Sequence, residues 1–225
     1  MANRAYLYIL SNRPSSYADR PDTISGLSEW AYTIPFSYRV LMSGDTLLCA
    51  SLVSDGFDGE PADRKTKLHA ISGDFEAGFD RLKRFSSVVR PLATSSPTLV
   101  AALDETLAFL ESHHDRYLLL ETVELDTMTT EGEAELRACV EREIAECMRA
   151  GAAVDALPGD AAKAGATLAH AIRNRAAPPF DVFHGLRLDD DFDNVRGGNE
   201  NPLGLEWCED LYFELWNRAE FEANR

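Results

Sequence analysis

Ala5-Tyr6-Leu7-Tyr8-Ile9-Leu10 is apolar or aromatic at both its odd and its even positions, so neither side of this run, if extended, suits water. Such a run reads as a strand buried within a sheet and packed on both faces, which places it centrally. It stops at Ser11-Asn12-Arg13-Pro14, and a turn-rich stretch follows to Ser25. Further short apolar runs, Leu47–Val53, Lys67–Ser72 and Tyr117–Leu125, supply partner strands, and Val182–Leu188 is a weaker candidate.

Between these runs the apolar period changes from two to about three and a half. Pro35 opens a short helix that ends before Gly44. Asp74 caps a stripe of Phe75, Phe79, Leu82, Phe85 and Val89, which Pro91 ends. Ser96 and Pro97 start the stripe Leu99 or Val100, Leu103, Leu107 and Leu110, which fades at His113 and His114. Thr130 and Glu133 have capping-box spacing ahead of Leu136, Val140, Ile144 and Cys147 or Met148, a helix reaching Ala150. Asp160 caps an alanine-rich helix that Pro178 and Pro179 terminate. In the tail from Leu203, Trp207, Leu211 and Leu215 fit a helix, whereas Leu211, Phe213 and Leu215 alternate as in a strand; the helix is the expectation. The pattern predicts an α+β fold, a mixed β-sheet flanked by several amphipathic helices, in one domain over residues 1–225. Only 91–97 and 176–179 resemble sub-boundaries, and neither is a linker.

Eleven Phe, seven Tyr and three Trp can fill a core, which argues against disorder despite a net charge of −16. No apolar run spans 18 residues, and the N-terminal run is too short for a signal peptide. Four cysteines, Cys49, Cys139, Cys147 and Cys208, form no CxxC pair, so a reducing, cytoplasmic setting is expected.

The acidity is local. Residues 121–150 carry nine acids against three arginines, a net of −6, and residues 189–225 carry eleven against three, a net of −8. Charge of this sign repels phosphate backbones and anionic lipid, so nucleic-acid and membrane partners are disfavoured, while a basic protein would be steered in. Glu131, Glu135, Glu143, Glu206, Glu209 and Asp210 are the candidate contact residues. The bland reading of both segments is a solvated, solubilising face.

Leu188-Asp189-Asp190-Asp191-Phe192-Asp193-Asn194-Val195-Arg196-Gly197-Gly198-Asn199-Glu200 comes closest to a chemical motif. Asp189, Asp191, Asp193 and Glu200 fill positions one, three, five and twelve of a calcium loop, and define a candidate site for calcium or magnesium. Asn194 stands where glycine is usual, Arg196 brings a positive charge, and Pro202 opposes the following helix. The alternatives are a solvated acidic turn or carboxylates satisfied by Arg187 and Arg196.

Catalytic and cofactor motifs are missing from the sequence. It has no GxSxG elbow, HExxH, GxxxxGK[ST] or strand-linked GxGxxG, and Cys139 and Cys147, eight apart, would lie about 12 Å apart along one helix. No catalytic residue is assigned and no cofactor is expected beyond the calcium or magnesium just named. His113 and His114 suit the C-terminal dipole of a helix.

Met1-Ala2-Asn3-Arg4-Ala5-Tyr6-Leu7-Tyr8, followed by Ile24-Ser25-Gly26-Leu27-Ser28-Glu29-Trp30, the Ile34-Pro35 to Gly44 segment and Asn201-Pro202-Leu203-Gly204-Leu205, resembles an uncharacterised bacterial family that begins in the same way. The resemblance implies a bacterial origin and an intracellular setting, and it transfers no activity or site. Two functional readings follow. The first is a non-catalytic binding protein, immunity- or antitoxin-like, engaging a basic protein. The alternative is a divalent-metal enzyme or metal-stabilised protein built on the Asp189–Asp193 carboxylates.

Overall fold

The computed structural model describes residues 3–195 and 201–224. The run that opens the chain is β1 (Arg4–Leu10), and it has a neighbour on each side. One neighbour is β2 (Ile24–Ala31), which begins at the end of the turn-rich stretch and to which the sequence reading assigned no element. The other is β5 (Tyr117–Glu121), which continues through β4 (His69–Asp74) to β3 (Leu47–Ala50). The order is β2-β1-β5-β4-β3, and every pairing is antiparallel, not mixed as the sequence suggested. The α+β expectation of a sheet packed against several helices holds.

The predicted two-faced burial of β1 is visible residue by residue. Ala5, Leu7 and Ile9 join the larger core with Ile71, Leu118 and Leu120. Tyr6, Tyr8 and Leu10 join a smaller cluster with Leu119 and Ala70 on the opposite face. The larger face is covered by α1 (Phe36–Leu41), α2 (Phe75–Val89), α3 (Pro97–Ser112), α5 (Glu133–Ala156) and α6 (Ala161–Arg173). The one-turn α4 (Val123–Asp126) stands where the strand was expected to reach Leu125.

Local chemistry explains several boundaries. Asp74 and Asp160 cap α2 and α6 as read, accepting from the amides of Ala77 and Lys163. Thr130 makes no such cap. Gly132 occupies that place in α5, and Glu133 accepts from the Lys67 amide instead. Ser96 stands at the N-cap of α3 with Pro97 after it, as read, but its hydroxyl donates to Asp190 Oδ1 at 2.6 Å instead of accepting a helix amide. Val182–Leu188 is not a strand: Phe180–Phe183 is a 3₁₀ turn after the Pro178-Pro179 pair.

The tail departs most from expectation. Only α7 (Arg218–Ala223) is helical, capped by an Asn217/Glu220 capping box, and residues 203–217 form neither helix nor strand. The carbonyls of Pro202 and Leu203 accept from the Phe36 and Ser37 amides, which α1 itself leaves unpaired. Leu203 and Leu205 lie in the larger core, whereas Leu211 and Leu215 lie in the smaller. The tail therefore crosses the outer edge of β2 and covers the second face of the sheet, using the Leu211/Phe213/Leu215 alternation that the helix reading set aside.

Candidate functional site

The crossing is built around an irregularity in β2. Leu7 pairs with Ser28 and Tyr8 with Gly26, so Leu27 is an extra residue in the ladder. Its carbonyl is left to accept the Cys208 amide at 3.0 Å, and the Ser28 hydroxyl donates to the Glu206 carbonyl. Gly26 is needed for the fit, because a Cβ there would lie 2.5 Å from the Glu209 carbonyl oxygen and 2.7 Å from Leu211. Farther along, the Tyr8 hydroxyl donates to the Phe213 carbonyl at 2.5 Å, and Glu29 accepts from the Tyr212 amide at 2.7 Å. Burial and the neighbouring Glu121 hold the Tyr8 phenol well above its usual range, so it remains a donor.

Between this tail and the sheet lies a cavity of about 500 Å³. Glu209, Asp210, Glu214 and Glu220 line it together with Phe213 and Trp216, and among the described residues no Lys or Arg does. Trp216 is 47% exposed. Glu209 Oε1 lies 2.8 Å from His113 Nε2, at the C-terminal end of α3. The groove thus has the carboxylates and the aromatic face that attract a cation.

Of the six expected contact residues, Glu209 and Asp210 meet in this groove, and Glu206 is exposed just before it, at the edge crossing. Glu131 and Glu135 are exposed on and before the first turn of α5. Glu143 differs from all of these and is no surface contact: its side chain is 13% exposed and takes both Nε and Nη2 of Arg39, at 2.6 and 3.1 Å. Burial raises its carboxyl and the Arg39 bonds pull it back down.

The Asp189–Asp193 carboxylates do not act together. Asp189 and Asp191 both accept from Arg187, at 3.0 and 2.8 Å, and Asp190 accepts from Ser96. Asp193 turns inward, accepting from the Gly204 and Leu205 amides at 2.6 and 2.7 Å, and burial raises its carboxyl. Among the described residues no three or more His, Cys, Asp or Glu are grouped to hold a metal ion. Glu200 and Arg196 lie outside the described residues. The acidic turn ties the start of the tail to the body, and Arg187, one of the two arginines of the alternative reading, takes two of its carboxylates, Asp189 and Asp191.

Glu121 carried no special reading in the sequence, yet it is the most perturbed carboxyl. It lies 1% exposed at the end of β5 and accepts from the Leu52 amide at 2.6 Å and the Ser51 hydroxyl at 2.8 Å. Desolvation pushes its carboxyl up to about 7, and the two hydrogen bonds and Arg20 oppose that rise. A single Glu at the end of an unbroken Tyr-Leu-Leu-Leu strand was the available signal. Cys49 and Cys147 are protonated thiols, both raised by burial, and Cys139 and Cys147 share α5 without sharing a metal.

A family model described as a domain of unknown function, DUF7822, matches residues 11–170, well over half of the 225-residue chain. The chain belongs to the DUF7822 family. No curated protein and no solved structure matches it. The region matched to DUF7822 holds β2 to β5 and α1 to α6, and of the residues behind the resemblance noted above it takes in the stretch from Ile24 to Gly44. It leaves out β1 and the whole tail, so the groove joins one wall inside the match, at Ile24–Gly26, to one outside it. No helix among the described residues is long and apolar enough to cross a membrane.

Proposed function

We propose that this protein is a non-catalytic binding protein that takes a basic segment of a partner protein into the groove between its tail and β2. The observation that carries the reading is the cavity lined by Glu209, Asp210, Glu214 and Glu220 with no Lys or Arg among its described lining residues. Opposite charge would supply steering and register, and Trp216 a face for an arginine or lysine. Glu206, just outside, extends the same field. An immunity- or antitoxin-like role, in which an acidic surface occupies a basic partner, is the kind of activity this arrangement serves.

An oligo-arginine peptide, titrated by fluorescence of Trp216 and its neighbours, tests this directly. Binding that weakens steeply with salt is expected. The triple variant Glu209→Gln, Asp210→Asn, Glu214→Gln should bind about tenfold more weakly, the sum of three partly exposed charges at roughly 0.5 kcal/mol each. Salt-insensitive binding, or a triple variant that binds as the wild type does, overturns the proposal.

A further inference from the structure

Three cavities differ in the sign of the charge that lines them. The tail groove is acidic. A second, near 260 Å³ and beside α1 and α5, balances Arg39 and Arg149 against Glu146 and Asp181. The third, about 330 Å³, lies where the loop at Ser15–Tyr17 meets the ends of β3 and β4; Lys67 is the cation in its lining and Asp55 the carboxylate, with Glu133 beside the Lys67 amide.

Asp55, on its wall, is already neutralised by Lys65 Nζ at 2.5 Å. His69 titrates below its ordinary range because of burial and then Arg137, so it is neutral at pH 7. Lys67, also on the wall, makes no side-chain ion pair with any described residue. Behind the Tyr17 wall lies Arg20, 3% exposed, with its guanidinium 4.4 Å from the Tyr17 ring centroid and 4.6 Å from that of Phe221. No carboxylate among the described residues pairs with it, and its Nε is buried without a hydrogen-bond partner. Beyond the ring faces, its guanidinium has a Tyr17 hydrogen bond and the attraction of Glu121, and a buried cation with one unbonded nitrogen is still a costly arrangement that an anion nearby relieves.

The hydroxyls sort themselves in the same direction. Ser51 spends its proton on Glu121, whereas the Ser16 hydroxyl donates to no described residue. The free donors of the cavity are therefore Lys67 and Ser16, with Arg20 adding positive potential through the Tyr17 wall. We propose that this cavity binds a small metabolite carrying an oxyanion, a carboxylate or a phosphate, whose oxygens accept from the Lys67 ammonium and the Ser16 hydroxyl. The volume lies at the lower end of small-molecule sites. This site is separate from the tail groove, of opposite sign, and does not depend on it.

Calorimetric titration with inorganic phosphate and, separately, with citrate tests the proposal on the full chain. Saturable binding of either is expected, and Lys67→Ala should weaken it about tenfold, the cost of one charge-assisted hydrogen bond. Ser16→Ala should weaken it less, and Lys67→Arg should retain most of it. Lys67 is exposed and makes no ion pair, so its substitution leaves the fold intact. Binding of phosphate alone assigns a phosphate-bearing ligand, and of citrate alone a carboxylate. If neither anion binds, or Lys67→Ala binds as the wild type does, the site is refuted. The groove variant Glu209→Gln, Asp210→Asn, Glu214→Gln should leave this binding unchanged, so the two sites stand or fall separately.

Discussion

Residues 121–150 and the tail from Glu206 are both strongly acidic in sequence, but the fold uses their carboxylates differently. In the first region seven of nine are engaged internally. Glu121 holds the 51–52 loop, Glu124 takes the Arg4 amide and the Tyr6 hydroxyl, and Asp126 takes Thr122. Glu133 takes the Lys67 amide, while Glu141, Glu143 and Glu146 pair with Arg137, Arg39 and Arg149. In the tail, Glu206, Glu209, Asp210, Glu214, Glu220 and Glu222 make no ion pair with a Lys or Arg among the described residues, and four of them share one cavity. Two acidic segments therefore give a braced structural surface in one place and, in the other, a groove whose carboxylates have no Lys or Arg partner among the described residues. Only the second retains field for a partner.

Removing a partner from the braced region should have the largest effect on stability. Arg39→Met leaves Glu143 buried without its cation, and denaturant unfolding should show a loss of about 3 kcal/mol. A cost below about 1 kcal/mol would put Glu143 back among the surface charges.

Glu121 gives a related prediction about pH. Its folded value, raised to about 7, lies above the ordinary 4.5, so the folded state binds the proton more tightly. Its contribution is complete below about pH 4.5 and falls away as pH rises to about 7, by roughly 3 kcal/mol at most. Glu121→Gln should flatten the unfolding free energy across that window. An unchanged slope would mean the carboxyl is not the group that titrates.

On the tail side, Gly26→Ala places a methyl against the Glu209 carbonyl and Leu211. It should cost about 1–3 kcal/mol and raise amide exchange at 203–224 more than in β5. Oligo-arginine binding should fall with it, since Gly26, Glu209 and Leu211 all line the groove.

Much of the fold was legible from the sequence because burial leaves a period. The two-faced run in β1, the stripes of α2 and α3, and the Asp74 and Asp160 caps are all local signals, and each appears as read. What failed was decided by distant partners. β2 carries Ser25, Gly26, Ser28 and Glu29 because it lies at the sheet edge under the tail, so its pattern resembles a loop. The tail could be helix or strand from spacing alone, and its irregular path is held by the Leu27 carbonyl, Ser28 and Tyr8, some 180 residues or more earlier in the chain. Asp189, Asp191 and Asp193 had metal spacing, but Arg187 and the amides of Gly204 and Leu205 had first claim on them. Acidity of the tail was visible in composition. That its carboxylates share a cavity with Trp216 was not, because the chain path sets it.

Amide chemical-shift mapping during titration with the oligo-arginine peptide tests the contrast between the two acidic regions most directly. The account predicts perturbations concentrated at Ile24–Gly26 and at 209–217, with the exposed end of α5 around Glu131 and Glu135 little changed. Shifts centred on residues 131–146, or spread evenly over every acidic side chain, would contradict it.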